Sequence, residues 1–455
     1  MTYDNIVDII EHKRRFGQAT GYEVSRELLE LLEHPEQNMR VIHIAGTNGK
    51  GSTAAFISNI LRAAGFVVGQ FTSPHLIDFT ERIQINGVQI PKESVIAYGK
   101  QILGLEEIMV QRKLTPTMFD YCLGIALMYF RDRHCDYVVL ETGLGGRLDS
   151  THGLSVVPRV SVFTNIGLDH TSILGNSLDK IAREKAGILR EGTYAVLTSM
   201  DERAEDVIKQ VCDQKTISYR NACWDRIQRQ YHLQKLGLLG SYQRENAATA
   251  VTAVEVLMEL DADDFLGCYM SRWKQQGDEP CVTGCNGQCN QCQQGTVELN
   301  YQQWKQHIVK AGVETAKWPG RMEIISEDPF FMVDGAHNPQ GVKALADSLQ
   351  ELFPGETFTF VVGVLADKDY EEMMEEMLPL AQRFYTVTVA NDRALQGKHL
   401  VEYFKQAGIA ASYCESIEEA LTRAFHTNTK VVAFGSLYFI GAIEEYIRDE
   451  DKFKN

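Results

Sequence analysis

The chain has 455 residues, of which 44% are hydrophobic and 23% charged, with 36 glycines and 11 prolines. This composition is ordinary for a globular protein of two or three domains, and it excludes a collagen, a coiled coil and a mostly disordered chain. The 45 basic and 61 acidic residues leave a formal net charge of −16, so neither nucleic acid nor an anionic membrane suits the overall field of the protein.

Targeting signals are absent from the patterns of this sequence. Residues 1–17 lack the apolar stretch of a signal peptide. No apolar run reaches about 18 residues, the length that spans a bilayer. We therefore expect a cytoplasmic protein with reduced cysteines.

The N-terminal two thirds of the chain contain short runs rich in Val and Ile that do not alternate with polar residues. Such runs are typical of strands buried on both faces of a parallel sheet. They cover residues 39–45, 137–143, 160–167 and 194–199. A helix is predicted over residues 50–65, where Gly65 is suited to end it. Its apolar face consists of Phe56, Ile57, Ile60, Leu61 and Ala64.

A second series of apolar runs begins near residue 320 and alternates with helical stretches such as 341–353. The runs cover residues 330–335, 358–364, 385–390 and 431–436. We predict an α/β protein with an N-terminal P-loop ATPase-like domain (1–316) and a smaller C-terminal Rossmann-like domain (317–455). Residues 261–300 are polar and lack periodicity, which indicates a loop or a Cys-rich insertion at about 265–296.

Residues 41–53 combine a buried strand, a Gly-rich turn and the start of a helix. This arrangement directs backbone N–H groups and a helix N-terminus at an anion, and Lys50 adds a positive charge. The standard P-loop pattern is not met, because Ile44 stands where the first Gly is required. A tight turn with a surface lysine is the alternative, but the strand–turn–helix context favours a phosphate cradle. Its residues would be Gly46, Thr47, Asn48, Gly49, Lys50, Gly51, Ser52 and Thr53.

Polar residues also follow other predicted strands, at the edge where doubly wound sheets place their sites. Glu141 leaves a buried strand and could hold Mg²⁺ beside a phosphate loop. His170, beside Asp169, follows the next strand; a structural histidine is the alternative to a ligand. In the C-terminal domain Asp334, His337 and Asn338 follow a strand. Arg321 follows a Pro-Gly turn and could reach a phosphate or form a surface ion pair.

Ten motifs then occur in an order that identifies a family. They are GTNGKGST (46–53), FTSPHL (71–76), ERIQING (81–87), LETGLGGRLDST (140–151), FTNIGLDH (163–170), IAREKAGI (181–188), GSYQRENAATA (240–250), WPGRME (318–323), DGAHNP (334–339) and SLYFIG (436–441). They resemble those of folylpolyglutamate synthases, including the bifunctional dihydrofolate synthase form, within the muramyl-type ATP-dependent ligases. The resemblance runs from about residue 3 to 445 and is interrupted around 261–300.

The resemblance implies an ATP-dependent ligase that joins L-glutamate to folate, or to dihydropteroate, through an acyl phosphate. The implied partners are these small molecules and ATP with Mg²⁺; we expect no nucleic acid, no membrane and a monomer. Another muramyl-type amino-acid ligase is the nearest rival. A regulatory P-loop NTPase is a more distant one, although the chain lacks an N-K-x-D guanine signature.

The resemblance also implies roles for single residues. Lys50, with the amides of Gly49 and Gly51, would hold the β- and γ-phosphates, and Ser52 would bind one Mg²⁺ together with Glu141. A second Mg²⁺ would lie between Ser73, Glu141 and His170. Lys185 matches a lysine that relatives carbamylate, which would help to hold that metal; an exposed helix lysine is its alternative.

Further implied contacts concern the nucleotide and the second domain. Asn246 would lie beside the adenine. Arg321 and His337 would contact the phosphates, and Asp334 would contact ATP or its ribose, in a cleft between the domains. The chain departs from the family's usual pattern at His152, where a carboxamide is usual, and at Asp120, where Glu is frequent.

Half of the ten cysteines lie within residues 268–292. Cys281, Cys285, Cys289 and Cys292 have the spacing C-x₃-C-x₃-C-x₂-C. Four thiolates this close could bind one Zn²⁺. A loop of free thiols is an equal alternative, and an iron–sulfur cluster is a third, because C-x₃-C-x₂-C resembles the motif of radical SAM enzymes.

Overall fold

Two compact units make up the chain. The computed structural model describes residues 1–13, 21–275 and 294–450. The first unit comprises Met1–Ser73, Thr80–Gly237 and Glu245–Ala316. The second comprises Pro74–Phe79, Leu238–Arg244 and the chain from Lys317 onward. Two short segments from the first two thirds of the chain therefore belong to the second unit.

An eight-stranded sheet forms the centre of the first unit, in the order β4-β3-β2-β5-β1-β6-β7-β8. Its strands are β1 (Arg40–Ala45), β2 (Val68–Phe71), β3 (Ile83–Ile85), β4 (Val88–Gln89), β5 (Tyr137–Glu141), β6 (Val160–Phe163), β7 (Tyr194–Leu197) and β8 (Tyr219–Asn221). The six strands from β2 to β8 in this order are parallel, whereas β3 and β4 pair antiparallel at the edge. The central strands β1, β5 and β6 are almost wholly buried, because helices cover both faces of a parallel sheet.

Thirteen helices are described in this unit. They are α1 (Tyr3–Glu11), α2 (Glu23–Leu31), α3 (Lys50–Ala64), α4 (Lys92–Leu103), α5 (Glu106–Gln111), α6 (Met118–Asp132), α7 (Thr171–Leu174), α8 (Leu178–Ala186), α9 (Glu202–Gln214), α10 (Trp224–Tyr231), α11 (Gln243–Leu260), α12 (Ala262–Gln275) and α13 (Gln294–Glu314). Helix α3 buries the five apolar residues that the sequence placed on one face. It ends at Gly65, whose φ of 105° is the left-handed conformation of a helix stop.

The second unit contains a six-stranded sheet in the order β13-β12-β11-β14-β10-β9. Its strands are β9 (Glu323–Glu327), β10 (Phe330–Val333), β11 (Phe358–Val362), β12 (Ala381–Val387), β13 (Ala410–Cys414) and β14 (Lys430–Phe434). All pairs are parallel except β9 with β10. The helices are α14 (Pro339–Leu352), α15 (Tyr370–Glu375), α16 (Gly397–Gln406), α17 (Ile417–Phe425) and α18 (Leu437–Glu450). The predicted α/β class, with a parallel-rich first sheet and a second sheet, is confirmed.

The structure corrects one prediction and adds strands that the sequence did not indicate. The prediction of a loop over residues 261–300 is wrong at α12 and at the start of α13, because these residues form helices. Helix α12 buries Phe265 and Tyr269, a spacing of four residues that places them on one face. Strand β9 has a mostly half-exposed, polar sequence, so apolar runs did not mark it.

Candidate active site

A Gly-rich loop joins β1 to α3. Gly49 caps the helix with a φ of 86° and, as a glycine, has no side chain that could bond to the first amides of α3. Because the first N–H groups of a helix lack intrahelical partners, this end presents donors and a positive dipole to an anion. A Cβ on Gly49 would lie 2.3 Å from Asn246 Oδ1, so Asn246 packs directly against the loop.

The loop is held in place by the segment that follows β6. The amide of Thr47 donates to Asn165 O over 2.7 Å, and the Thr47 hydroxyl accepts from Gly167 N over 3.0 Å. Gly46 lies so close to Thr164 that a Cβ would come within 1.8 Å of the threonine Oγ1. The Gly-rich loop and the segment that bears His170 therefore pack against each other.

Lys50, Glu141 and Ser73 meet beside this loop. Lys50 Nζ lies 3.6 Å from Glu141 Oε1 and donates to Thr47 O over 3.2 Å. Glu141 is 4% exposed, and its Oε2 accepts from the amide of Ser73 over 3.3 Å. The lysine and the glutamate thus neutralise each other in a buried place. Both would be able to exchange this pairing for a phosphate and a cation.

The oxygen groups around the loop fit Mg²⁺. Ser52 and Thr53 are buried at the start of α3, and the Thr53 hydroxyl has no partner among the described residues. No three His, Cys, Asp or Glu side chains of the described chain gather as a metal site. Mg²⁺ is commonly bound by one or two carboxylates together with water and substrate phosphates, so Glu141 with two serine hydroxyls is a suitable donor set.

His170 has a local geometry of its own. It precedes the short helix α7 in the left-handed conformation, with a φ of 49°, and its amide donates to Asp169 Oδ1 over 2.8 Å. A left-handed residue that is not glycine is uncommon. The backbone here therefore turns sharply at the carboxyl edge of β6.

Lys185 is buried on α8 and is 4% exposed. Its Nζ donates to Gly46 O over 2.7 Å, which places the amine directly behind the phosphate loop. Burial, with the charge of Lys50, lowers the pKa of Lys185 to about 7, although Asp169 and Asp149 oppose this shift. The exposed helix lysine that was the alternative is excluded. A lysine with this pKa is largely a neutral amine just above pH 7.

A buried polar network that the sequence did not single out lies behind the segment after β5. Asp149 accepts hydrogen bonds from Leu144 N (2.8 Å) and from the Thr151 hydroxyl (2.5 Å). That hydroxyl is 2.7 Å from His43 Nε2. Burial raises the pKa of Asp149. The pKa of His43 is lowered to about 3, mainly by burial and to a smaller extent by the charges of His152 and Arg190. The signal available in sequence was a histidine within an otherwise apolar strand.

The two residues that depart from the family pattern are both partly or wholly buried. Asp120 caps α6, where its Oδ2 accepts from Thr117 N over 2.7 Å, and burial raises the pKa of its carboxyl. The ring of His152 packs edge-on against Tyr22, with centroids 4.6 Å apart. Burial, followed by the charge of Arg190, lowers the pKa of His152 to about 4.

The second unit brings together Arg321, Asp334 and His337. Arg321 Nη1 donates to Gly320 O over 2.9 Å and lies where a Cβ on Gly335 would be, 2.3 Å away. His337 Nδ1 is 2.8 Å from Gly335 O. Asp334 is buried, with 3% of its surface exposed, and burial raises the pKa of its carboxyl while Arg321 lowers it. Asn338 caps α14 by accepting from Gly341 N over 2.8 Å.

The cysteine cluster is only partly described. Cys281, Cys285, Cys289 and Cys292 lie outside the described residues. Cys268 lies on α12 as a half-exposed free thiol, and burial raises its pKa.

Comparisons with known proteins show which family this architecture belongs to. The Mur ligase middle domain matches residues 44–254, and the Mur ligase, glutamate ligase domain matches residues 320–437. The dihydrofolate synthase/folylpolyglutamate synthase of Bacillus subtilis (strain 168) is 31% identical over 98% of this chain and 99% of its own length. The chain belongs to the folylpolyglutamate synthase family. The resemblance drawn from the ten motifs is thus confirmed.

Two further members of the folylpolyglutamate synthase family extend this result. The folylpolyglutamate synthase of Lacticaseibacillus casei is 30% identical, with 98% of each chain covered. A solved folylpolyglutamate synthase–AMPPCP–folate complex is 27% identical, with a TM-score of 0.76 over 98% of this chain and 100% of that chain.

In the part of the chain that the structure describes, none of the helices combines the length and apolar character needed to cross a membrane.

Proposed function

We infer that the chain is an ATP-dependent ligase that adds L-glutamate to folate and releases ADP and phosphate. The observation that carries this inference is the ion pair of Lys50 with the buried Glu141 beside the N-terminus of α3, in a chain of this family. Two relatives bear the name folylpolyglutamate synthase, and one solved structure that resembles this chain is a complex with AMPPCP and folate. These names support the substrate class.

The chemistry requires an unreactive carboxylate to become an electrophile. A carboxylate oxygen of the folate attacks the γ-phosphorus of ATP, ADP leaves, and an acyl phosphate forms. The amine of L-glutamate then attacks the acyl carbon and loses a proton, and phosphate leaves with the electrons of the C–O bond. Lys50 and the first amides of α3 stabilise the phosphoryl charge, a preorganised electrostatic contribution. Arg321 and His337 are proposed to contact the phosphates from the second unit.

Mg²⁺ is the metal proposed for this site. Ser52 and Glu141 would hold one ion, and Ser73, Glu141 and His170 a second. Bound Mg²⁺ supplies positive charge that neutralises the phosphate oxygens. Glu141→Gln should raise the Mg²⁺ concentration required for half-maximal activity, whereas Glu30→Gln on the exposed side of α2 should not. An unchanged Mg²⁺ requirement in Glu141→Gln would contradict this assignment.

We propose that Lys185 is carbamylated. Its neutral amine would attack CO₂, forming a C–N bond and releasing one proton, and the resulting carbamate would carry a negative charge toward the second metal. Equilibration with ¹³C-bicarbonate should produce a carbamate resonance in wild type that is absent in Lys185→Ala. Acetate should partly restore the activity of that variant. Lys180→Ala on the same helix is the matched control and should retain the resonance, because Lys180 Nζ donates to the exposed Asn176 Oδ1 over 3.1 Å.

Dihydropteroate is the second acceptor that we propose, since the B. subtilis relative is named for both activities. The test measures ADP release with L-glutamate plus dihydropteroate, plus tetrahydrofolate, or with neither pterin. Release that depends on glutamate and on each pterin supports both activities. Release that needs neither substrate would indicate a non-ligase NTPase, and release with other amino-acid acceptors would indicate another muramyl-type ligase.

The cysteine cluster carries a separate proposal based on spacing alone. Cys281, Cys285, Cys289 and Cys292 would bind one Zn²⁺ through four thiolates. Metal analysis of anaerobically purified protein should find one Zn per chain. Stoichiometric iron would favour an iron–sulfur cluster instead, and the absence of both metals would leave free thiols.

We also propose that the protein acts as a cytoplasmic monomer. A ligase that consumes ATP and carries clustered thiols requires a compartment that is rich in ATP and reducing. Light scattering during size-exclusion chromatography should give a mass near 51.3 kDa. A mass twice this value would exclude the monomer.

A further inference from the structure

The carboxylate of Asp334 has an unequal set of hydrogen bonds on its two oxygens. Oδ1 accepts from Ala336 N over 2.8 Å. Oδ2 accepts from Met322 N over 2.8 Å and from the Tyr242 hydroxyl over 3.1 Å. A carboxylate oxygen has two lone pairs. Among the described residues, Oδ2 is therefore fully used by the protein, whereas Oδ1 keeps one lone pair for another donor.

The ring of Tyr242 is placed by a glycine turn. Gly240 has a φ of 104°, and a Cβ there would lie 2.7 Å from Tyr242 Cε1 and 2.8 Å from the sulfur of Met322. The tyrosine ring thus folds back over Gly240 and packs beside the residue whose amide shares Asp334 Oδ2. A side chain at position 240 would displace this ring.

The segment that carries Tyr242 is anchored on both sides. Ser241 donates its amide to Ser348 Oγ over 3.0 Å, and the two hydroxyls are 2.9 Å apart. Arg244 forms an ion pair with Glu351 on the same helix, α14. These contacts hold Leu238–Arg244 on the second unit, so the tyrosine hydroxyl has a fixed position relative to Asp334.

Tyr242 remains a hydrogen-bond donor at every working pH. Burial and the nearby charge of Asp334 hold the pKa of Tyr242 well above 10. Burial raises the pKa of Asp334, whereas Arg321, the two amides and the Tyr242 hydroxyl lower it. Arg321 and Tyr242 are the charged and titratable groups of the described chain that act on this carboxyl.

We propose that Tyr242 is a positioning residue that occupies Asp334 Oδ2, so that Oδ1 is the oxygen presented to the nucleotide. This proposal rests on the proposed function and on the contact between Asp334 and ATP that the family resemblance implies. Without the Tyr242 hydroxyl, each oxygen of the Asp334 carboxylate has one vacant lone pair. Either oxygen could then accept a hydrogen bond from the nucleotide. Nucleotide binding should weaken, while the fold of the second unit persists because the aromatic ring remains.

The test compares Tyr242→Phe, Asp334→Asn and the double variant in the full-length enzyme. Tyr242→Phe should raise the KM for ATP about tenfold, since a hydrogen bond to a charged group is lost. Because Tyr242 acts through Asp334, adding Tyr242→Phe to Asp334→Asn should have little further effect. Tyr413→Phe, which removes a hydroxyl from the exposed carboxylate of Glu415, is the control and should match wild type.

The pH profile distinguishes positioning from simple structural support. Loss of the Tyr242 hydroxyl raises the pKa of Asp334, so the acid limb of kcat/KM for ATP should move to higher pH in Tyr242→Phe. An unmoved limb, or effects of the two substitutions that simply add, would overturn the proposal. If Tyr242→Phe does not fold, Ser348→Ala, which loosens Ser241, should shift the limb in the same direction.

The positioning role of Tyr242 can be tested separately from the proposed ligase activity. Calorimetric binding of ADP to wild type and to Tyr242→Phe tests the positioning role without any ligation. Weaker binding by the variant supports it, and equal binding overturns it. An absence of glutamate- and folate-dependent ADP release in wild type would overturn the ligase assignment alone.

Discussion

Two loops in this protein follow a buried parallel strand and precede a helix, but they use their charged residues differently. In the first unit, Lys50 and Glu141 come from separate elements and pair with each other at 3.6 Å. In the second unit, Asp334 accepts three hydrogen bonds from its own surroundings. The first loop keeps its charges ready to exchange partners, whereas the second uses its carboxylate to build the loop itself.

This difference has an energetic cause. A buried charge must be paired or hydrogen-bonded. An ion pair between two mobile side chains meets that need until ligands replace each partner. A carboxylate held by two backbone amides cannot leave its position. Substitutions in the first loop should therefore change the chemistry most, and those in the second should change mainly affinity.

Lys50→Ala should give the largest effect. It removes the charge that we propose to face the phosphates, and it leaves Glu141 buried without its cationic partner. We expect kcat to fall about 10²- to 10³-fold, the range for loss of one electrostatic stabiliser of a transition state. Steady-state ADP release measures it, with the exposed Lys398→Ala as control. Ligation at the wild-type rate would contradict the phosphate role of the loop.

His43 in the first unit and Asp334 in the second should contribute to the acid response of the protein with opposite signs. His43 titrates at about 3 in the folded protein instead of 6.5, so the unfolded chain binds its proton first and the free energy of unfolding falls as pH drops from 6.5 toward 3. At pH 5 this loss is about 2 kcal/mol. Asp334 has a folded pKa above 3.8, so its own contribution to that free energy rises as pH falls through the folded pKa.

Urea denaturation at pH 7.5 and pH 5.0 checks these signs. His43→Asn should reduce the loss of stability on acidification. Asp334→Asn should remove the opposing contribution of that carboxyl, which adds stability once the pH falls through its folded pKa. The same pH dependence in wild type and in His43→Asn would contradict the burial argument.

The two ends of α3 offer a matched pair of glycines. Gly49 and Gly65 have φ values of 86° and 105°, so alanine at either position should lower the free energy of unfolding by about 1–2 kcal/mol. Only at Gly49 does the added Cβ meet Asn246 Oδ1; at Gly65 nothing lies within 4 Å. Gly49→Ala should therefore also weaken ADP binding in calorimetry, and Gly65→Ala should not. Equal binding by both variants would remove Asn246 from the description of the loop.

Arg321→Ala in the second unit should have the smallest effect. We expect the KM for ATP to rise about fivefold with a smaller change in kcat, because the variant lacks the single charged contact to a phosphate that we propose for Arg321. Arg321→Lys should recover part of the affinity. A loss of kcat as large as that of Lys50→Ala would show that the two loops contribute equally to the chemistry.

Much of the fold was predictable because its central strands are buried on both faces. The apolar runs became β1, β5, β6 and β7 in the first sheet and β10, β11, β12 and β14 in the second. Six strands were not predicted: β2, β3, β4 and β8 in the first sheet and β9 and β13 in the second. Apart from β2, which has only four residues, they lie at or near a sheet edge. Helix α12 was missed because its buried positions are few and lie among polar residues.

The site was predictable where a motif lies in one stretch of chain. The Gly-rich loop from Gly46 to Gly49 and the start of α3 at Lys50 follow directly from residues 41–53. The network of His43, Thr151 and Asp149 was not predicted, because the contact between His43 and Thr151 joins residues 108 positions apart. Only the packing of β1 against the segment after β5 brings these groups together.

The sequence by itself determined the family, the α/β class and the position of the Gly-rich loop before α3, because each depends on local order: hydrophobic runs, glycines and motif spacing. The tertiary structure decided the environment of each charged group. It buried Lys185 behind Gly46, which lowers the pKa of its amine, and it enclosed Asp334 beneath Tyr242. Burial and long-range contact set the charge state of a side chain, and neither is encoded in any single stretch of the chain.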